Sequence, residues 1–160
     1  MRKVIFLDRD GVINKERGDY TYKIADFELN EGVIDFMKKA QKQGFEFVII
    51  TNQGGIAKGR YNKNDVYSVH QHMLTQLEQE NIPVLAIYFC PHHNDIEKCI
   101  CRKPDSQMLE KAIARFGIDK QSSFMIGDSK RDVEAATKVG IKAYQIEPNA
   151  NITKLKTNLF

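Results

Sequence analysis

Five short apolar runs alternate with amphipathic segments of helical length, and this alternation limits the possible folds more than any other feature of the chain. Lys3–Leu7, Phe45–Thr51, Val84–Phe89, Ser123–Ile126 and Ile141–Ile146 read as strands. Glu31–Gln43 sets Val33, Ile34, Met37 and Ala40 at helical spacing before Gly44. Asn62–Glu80 opens with an Asn cap and Asp65, then carries Val66, Val69, Met73, Leu74 and Leu77 along one face, a stripe that reads as core. Ser106–Phe116, capped by Ser106 and closed by Gly117, and Ser129–Val139, closed by Gly140, complete the helices. Strands and helices in this order predict an α/β fold, a doubly wound parallel sheet covered on both faces. The polar tail after Pro148 is expected to be loosely attached.

Ligands in such folds sit beyond the carboxyl ends of the strands. Polar residues follow four of the runs: Asp8-Arg9-Asp10-Gly11, Thr51-Asn52-Gln53-Gly54-Gly55, Cys90-Pro91-His92 and Gly127-Asp128. Asp8 and Asp10 are two apart in extended chain and so point to the same side. Asp128 ends the fourth strand, and Asp132 faces it from the next helical turn. Convergent carboxylates repel unless a cation lies among them. All four are hard oxygen donors with no histidine among them, which suits Mg²⁺ better than zinc. The Thr51 hydroxyl, the Gly-rich loop and Lys103, just before Pro104, supply the rest of what a phosphoryl dianion requires.

The chain's 160 residues amount to about one domain at roughly 150 residues per domain. No internal repeat or Pro/Gly-rich linker divides it. The net charge of +3 is spread among interleaved acids and bases, so composition gives no case for a nucleic-acid partner. No apolar run approaches the roughly 18 residues of a membrane span. The apolar stretch at the N-terminus ends at Asp8 after four residues, too short for a signal peptide. A cytoplasmic protein, a monomer with a small-molecule partner, is expected. Cys90, Cys99 and Cys101 cannot all pair with one another, and they lie within twelve residues beside a histidine. That clustering points to a metal site rather than to oxidation. His92 and His93 both neighbour it, with the Cys-x-His spacing favouring His92. His70 and His72 sit on a polar helix and are expected to be solvated.

Asp8-x-Asp10-Gly11-Val12, Thr51-Asn52, Lys103-Pro104 and Gly127-Asp128-x-x-x-Asp132 together resemble the four motifs of haloacid-dehalogenase-type phosphatases, in order and at strand ends. The resemblance covers about residues 3–146. Within that family, Thr51–Tyr61 and the segment Cys90-Pro91-His92-His93 … Cys99-Ile100-Cys101-Arg102-Lys103-Pro104 resemble the D-glycero-D-manno-heptose 1,7-bisphosphate phosphatase and histidinol-phosphate phosphatase branch. Ile56–Tyr61 is similar to the heptose type. The six residues between His92 and Cys99 are nearer the histidinol-phosphate type, and Gly54 stands where serine is common in the heptose type.

The resemblance implies a nucleophilic Asp8, a general acid/base Asp10, and Thr51 and Lys103 on the phosphoryl group. It implies Mg²⁺ held by Asp8, Asp128 and the main-chain carbonyl of Asp10, with Asp132 orienting Lys103 or a metal-bound water. It also implies a structural Zn²⁺ in the loop 90–101, bound by Cys90, His92, Cys99 and Cys101. The intervals Asp10–Thr51 and Thr51–Lys103 are filled by the expected helices and strands, so a separate cap domain is not expected. Substrate contacts then fall to loops: Asn52, Gln53 and Gly54, with Lys15, Arg17, Lys58, Arg60 and Arg102 as a cationic rim. Such a rim suits a bisphosphate losing its C7 phosphate better than histidinol phosphate, the other substrate of the branch. A phospho-accepting receiver module also gathers acids, Thr and Lys on this fold. Its acceptor, however, ends the third strand, where this chain has Cys90.

Overall fold

The computed structural model describes residues 1–155. Its sheet is built from β1 (Val4–Leu7), β2 (Glu46–Asn52), β3 (Ala86–Cys90), β4 (Phe124–Gly127) and β5 (Lys142–Gln145). All neighbouring strands pair in parallel, in the order β3-β2-β1-β4-β5. β1 is buried along its whole length because it lies at the centre of the sheet. Its alternating side chains feed two separate cores. Ile5 and Leu7 meet Phe47 and Ile49 under α1 (Val33–Lys42) and α2 (Lys63–Gln79). Val4 and Phe6 meet Val48 and Met125 under α3 (Gln107–Phe116) and α4 (Lys130–Lys138). The expected doubly wound sheet is therefore observed.

Element boundaries differ from the sequence reading by one or two residues. Asn62 caps α2 in a reciprocal pair with Asp65, as its sequence predicts. Ser106 precedes α3 but makes no side-chain cap bond.

The tail reading is corrected over residues 148–155. Ile152, in a short 3-10 turn (Ile152–Lys154), is buried in the α1/α2 core. Asn149 binds the Glu16 backbone from both ends of its amide, and its own N–H donates to the Gly11 carbonyl. Ile152 and the partly buried Leu155 are the large apolar residues of this polar stretch, and two positions set no strand or helix periodicity to reveal docking. The remainder of the tail lies outside the described residues.

The chain leaves β1 toward β2 and β3 on one side, then returns to place β4 on the other. β1 and β4 thus flank the topological switch point, where a crevice opens at the strand ends. Asp8 follows β1 and Asp128 follows β4.

Candidate active site

A cavity of about 510 Å³ occupies that crevice, with Asp8, Asp10, Lys103, Asp128 and Asp132 in its lining. One oxygen from each of Asp8, Asp128 and Asp132 lies within 4.8 Å of the others. Gly11 permits this approach. Its φ of +89° disfavours any side chain, and a Cβ there would stand 2.0 Å from Asp128 Oδ2.

Lys103 is buried against these acids. Its Nζ donates to Asp8 Oδ1 (3.0 Å), Asp132 Oδ1 (2.6 Å) and the Ile50 carbonyl (2.9 Å), which uses all three protons. Burial alone would lower the lysine pKa, but the Asp8 and Asp132 carboxylates more than offset it and hold the amine above its ordinary value. Asp132 Oδ2 accepts from the Ser129 amide and hydroxyl, both at 3.1 Å, so the start of α4 fixes the carboxylate that fixes Lys103. Asp132 thus touches Lys103, the contact that the first of its two expected roles requires, and it also stands among the possible metal donors.

Burial raises the Asp8 carboxyl well above the carboxylate range; Lys103 opposes this, while the charges of Asp132, Asp128 and Asp10 reinforce it. Asp128 is raised as well, by burial first. Asp8 and Asp128, which resist ionising, and Asp132 beside them form a donor set that fits a divalent cation. The Asp10 side chain is not part of this set. Burial works to raise its pKa, yet the Arg9 guanidinium beside it and hydrogen bonds from Asn14 and Gln53 hold it below the usual range.

Thr51 is buried just beneath the crevice rather than in its lining; its Oγ1 accepts from Gln53 Nε2 at 2.9 Å. Asn52, expected to bind substrate, uses both ends of its amide on the Lys103 backbone (3.0 and 3.1 Å). Gln53 donates to Asp10 Oδ2 at 3.0 Å. Gly54 lines the cavity under His93 and Arg102: a Cβ there would lie 2.8 Å from His93 Cδ2 and 2.9 Å from Arg102 Nη1.

The cationic rim needs correction. Lys15 pairs with Glu28, Arg17 with Asp26 and Lys58 with Asp95, and none of these three lysines and arginines lines the cavity. Arg60 lines it while paired to Asp19 at 3.0 Å. Acids that are distant in sequence neutralise these cations, a pairing that single-sequence reading cannot see. Arg102 does line the cavity, nearly buried, with its Nη1 on the His92 carbonyl and its Nε without a partner among the described residues. Arg131, absent from the sequence-based set, lines it too.

The cysteine loop closes on itself. Cys90, His92, Cys99 and Cys101 bring one ligand atom each within 4.8 Å of the others. Cys90 Sγ is 3.7 Å from Cys99 Sγ and 3.3 Å from His92 Nδ1, and His92 Nδ1 is 3.2 Å from Cys101 Sγ. A tetrahedral ion with metal–sulfur bonds of about 2.3 Å spaces its sulfurs by about 3.8 Å. The Cys90–Cys99 pair meets that spacing and the Cys90–Cys101 pair, at 2.7 Å, is closer, so it is the donor set of three thiols and one imidazole that suits zinc. His93 turns away from it to the cavity wall and Asp95.

His70 is a second correction: it is buried, not solvated, and its Nε2 lies 3.3 Å from Arg9 Nη1. Burial first, and the Arg9 charge next, push its pKa down to about 3. Arg9 itself is fully buried. An arginine between two aspartates directly after an all-apolar strand was the available signal for it. His72 is half-buried, edge-on to Phe27.

Residues 3–147 match the family described as polynucleotide kinase 3 phosphatase. D-glycero-alpha-D-manno-heptose-1,7-bisphosphate 7-phosphatase of Photorhabdus laumondii is 41% identical over 145 residues, covering 87% of this chain and 79% of the relative. D-glycero-beta-D-manno-heptose-1,7-bisphosphate 7-phosphatase of Haemophilus influenzae is 38% identical over 147 residues, covering 89% and 79%. Among solved structures, D,D-heptose 1,7-bisphosphate phosphatase from B. bronchiseptica, complexed with magnesium and phosphate, superposes with a TM-score of 0.85. It is 30% identical and covers 95% of this chain and 84% of that one. No helix among the described residues is long and apolar enough to cross a membrane.

Proposed function

The chain belongs to the haloacid-dehalogenase-type phosphatases, within the polynucleotide kinase 3 phosphatase family, and from that premise we propose that it removes the C7 phosphate of D-glycero-D-manno-heptose 1,7-bisphosphate. The observation that carries the reading is the pairing of a three-carboxylate cluster and its buried lysine with a separately held fourth carboxylate, Asp10, in one crevice. The substrate rests on the relatives, whose names carry both the alpha and the beta heptose bisphosphate.

In this reading a carboxylate oxygen of Asp8 attacks phosphorus in line, the bond to the leaving oxygen breaks, and an aspartyl phosphate forms. Asp10 gives its proton to the departing alkoxide, then takes one from the water that hydrolyses the intermediate. A phosphate dianion arriving beside Asp10 raises its proton affinity, so the carboxyl is loaded for donation with substrate in place. Lys103 shifts part of its hydrogen bonding from Asp8 to the phosphoryl oxygens, with Asp132 and Asn52 keeping it in position. Thr51 bears on the phosphoryl group from below, with Gln53 beside it. Asp8, Asp128 and the Asp10 carbonyl would hold Mg²⁺. When bound, the ion supplies positive charge against the transferred oxygens. Arg102, aided by Arg131, is read as the contact for the second phosphate.

The zinc is read as structural: four protein ligands leave no open position for a catalytic water, and the ion shapes the loop that carries Arg102 and Lys103. The enzyme is read as one catalytic domain over 1–160, a cytoplasmic monomer acting on a small phosphorylated molecule rather than on nucleic acid.

The test is Mg²⁺-dependent phosphate release from three compounds side by side: the heptose 1,7-bisphosphate, histidinol phosphate and a 3′-phosphorylated oligonucleotide. The heptose compound should have the highest kcat/KM. A preference of tenfold or more for either other compound, about 1.4 kcal/mol of transition-state discrimination, would replace the proposed substrate.

A further inference from the structure

The fully buried Arg9 has no part in the reaction described above, yet each of its three guanidinium nitrogens has a partner. Nε and Nη2 both donate to a single oxygen, Asp10 Oδ1, at 3.2 and 2.8 Å. Nη2 also donates to the Thr21 carbonyl at 2.8 Å. Nη1 points at His70 Nε2, 3.3 Å away on α2. Arginine has no acceptor atom and does not give up its charge, so His70 Nε2 must be the unprotonated, accepting nitrogen of a neutral ring. Asn14 Nδ2 adds a third donor group to Oδ1 at 2.9 Å.

The second Asp10 oxygen is in a different position. Among the described residues, Oδ2 accepts only from Gln53 Nε2, at 3.0 Å. The orientation of that amide is set by Asp10 itself, whose acceptor-only carboxylate requires the NH₂ to face it, and the buried Tyr61 hydroxyl, able to donate or accept, then donates to Gln53 Oε1 at 2.7 Å. The Gln53 NH₂ must therefore face Asp10 and Thr51, and Oδ2 keeps a lone pair free beside the cavity.

We infer that Arg9, held by His70 and the Thr21 carbonyl, is a positioning residue that saturates Oδ1 and so assigns all proton exchange with the leaving group to Oδ2 of Asp10. This rests on the acid/base reading of Asp10 above. A carboxylate with two equivalent oxygens would rotate and present its proton in several directions. A fork of two N–H groups on one oxygen fixes both the rotation and the donor atom. Lysine in place of Arg9 would keep the charge but lose the fork, so it separates positioning from neutralisation of a buried acid.

The test uses the Mg²⁺-loaded enzyme and the first-turnover release of phenol from a series of aryl phosphates, from dinitrophenyl to unsubstituted phenyl. A good leaving group departs without a proton and a poor one needs the acid. Arg9→Lys should leave dinitrophenyl phosphate within about threefold of wild type and slow phenyl phosphate about 30-fold, a fraction of the 10²–10⁴ attributed to general acids. His70→Leu should steepen the series in the same sense, and His70→Gln, which keeps an acceptor for Nη1, should restore the wild-type slope. Melting curves establish which variants are folded; if Arg9→Lys is not, the His70 pair decides the matter by the same slope. An equal loss across the series, no loss at all, or equal damage from Leu and Gln at position 70 would overturn the proposal. Asp10→Asn serves as the reference. If it fails to steepen the series, the acid assignment of Asp10 falls, and the role of Arg9 falls with it.

Discussion

Asp132→Asn removes one of the two carboxylates that hold the buried Lys103, and a simple count of ion pairs would assign this a loss of about 3–5 kcal/mol. The geometry predicts otherwise for the metal-free protein. At an effective dielectric constant of about 20, the attraction across the 2.6 Å contact to Lys103 is about 6 kcal/mol. At a pH high enough to ionise Asp8 and Asp128 despite their raised pKa values, Asp132 also repels them, their nearest oxygens lying within 4.8 Å, by about 3.5 kcal/mol each, about 7 in all. The two effects cancel to within about 1 kcal/mol. Asparagine can satisfy either Lys103 or the Ser129 amide but not both, a lost hydrogen bond of about 1 kcal/mol. The expected cost is therefore about 1 kcal/mol, measured by urea unfolding in the presence of a chelator. Magnesium cancels the repulsion in the wild type but leaves the attraction, so the difference should widen to about 3 kcal/mol or more when the titration is repeated with the metal. A metal-free loss above about 3 kcal/mol, or the same loss in both conditions, would refute the claim that Asp132 is as much repelled as attracted.

Four further outcomes are expected. Asp8→Asn should lower phosphate release at least a hundredfold, about 2.7 kcal/mol of barrier, while leaving the melting temperature in chelator unchanged or higher, because it removes a charge from the acid cluster. His70 has a folded-state pKa depressed to about 3, so its contribution to stability is complete above its ordinary value of about 6.5 and is lost as pH falls from there toward 3. Unfolding titrations between pH 7 and 4 should show the wild type losing up to about 1.4 kcal/mol per pH unit relative to His70→Gln, and parallel curves would contradict the burial of a neutral ring. Ile152→Ala should destabilise the fold by about 2–5 kcal/mol in urea, whereas a loosely attached tail would give no measurable change. Protein purified in metal-free buffer should carry about one zinc per chain by elemental analysis, with Cys99→Ser lowering both metal content and melting temperature; absence of zinc would sink the structural-metal reading.

The sequence by itself determined the sheet, the strand ends and the residue types at them. Strand and helix periodicities are local, and Val4–Leu7 with Asp8 and Asp10 behind it reads as a buried strand delivering acids whatever surrounds it. The cysteine loop was legible for the same reason, since its four donors span only twelve residues. The tertiary structure decided which of these groups act on each other. Whether Arg17 is a free cation depends on Asp26, and whether Arg60 is depends on Asp19, 41 positions away. His70 reads as solvated only from its own polarity, although Val66, Met73 and Leu77 at i−4, i+3 and i+7 put it on the edge of the core stripe; it is buried because α2 packs over the β1 end, where Arg9 meets it 61 positions earlier in the chain. The Asp10 carboxyl shows the division most plainly. Its presence is a matter of sequence, but the use of Oδ1 for holding and Oδ2 for chemistry depends on how the loop folds Arg9 and Asn14 back onto it and on Gln53 arriving from 43 positions away. Hydrogen bonds and charges act through space over a few ångströms, and only the folded chain sets those distances.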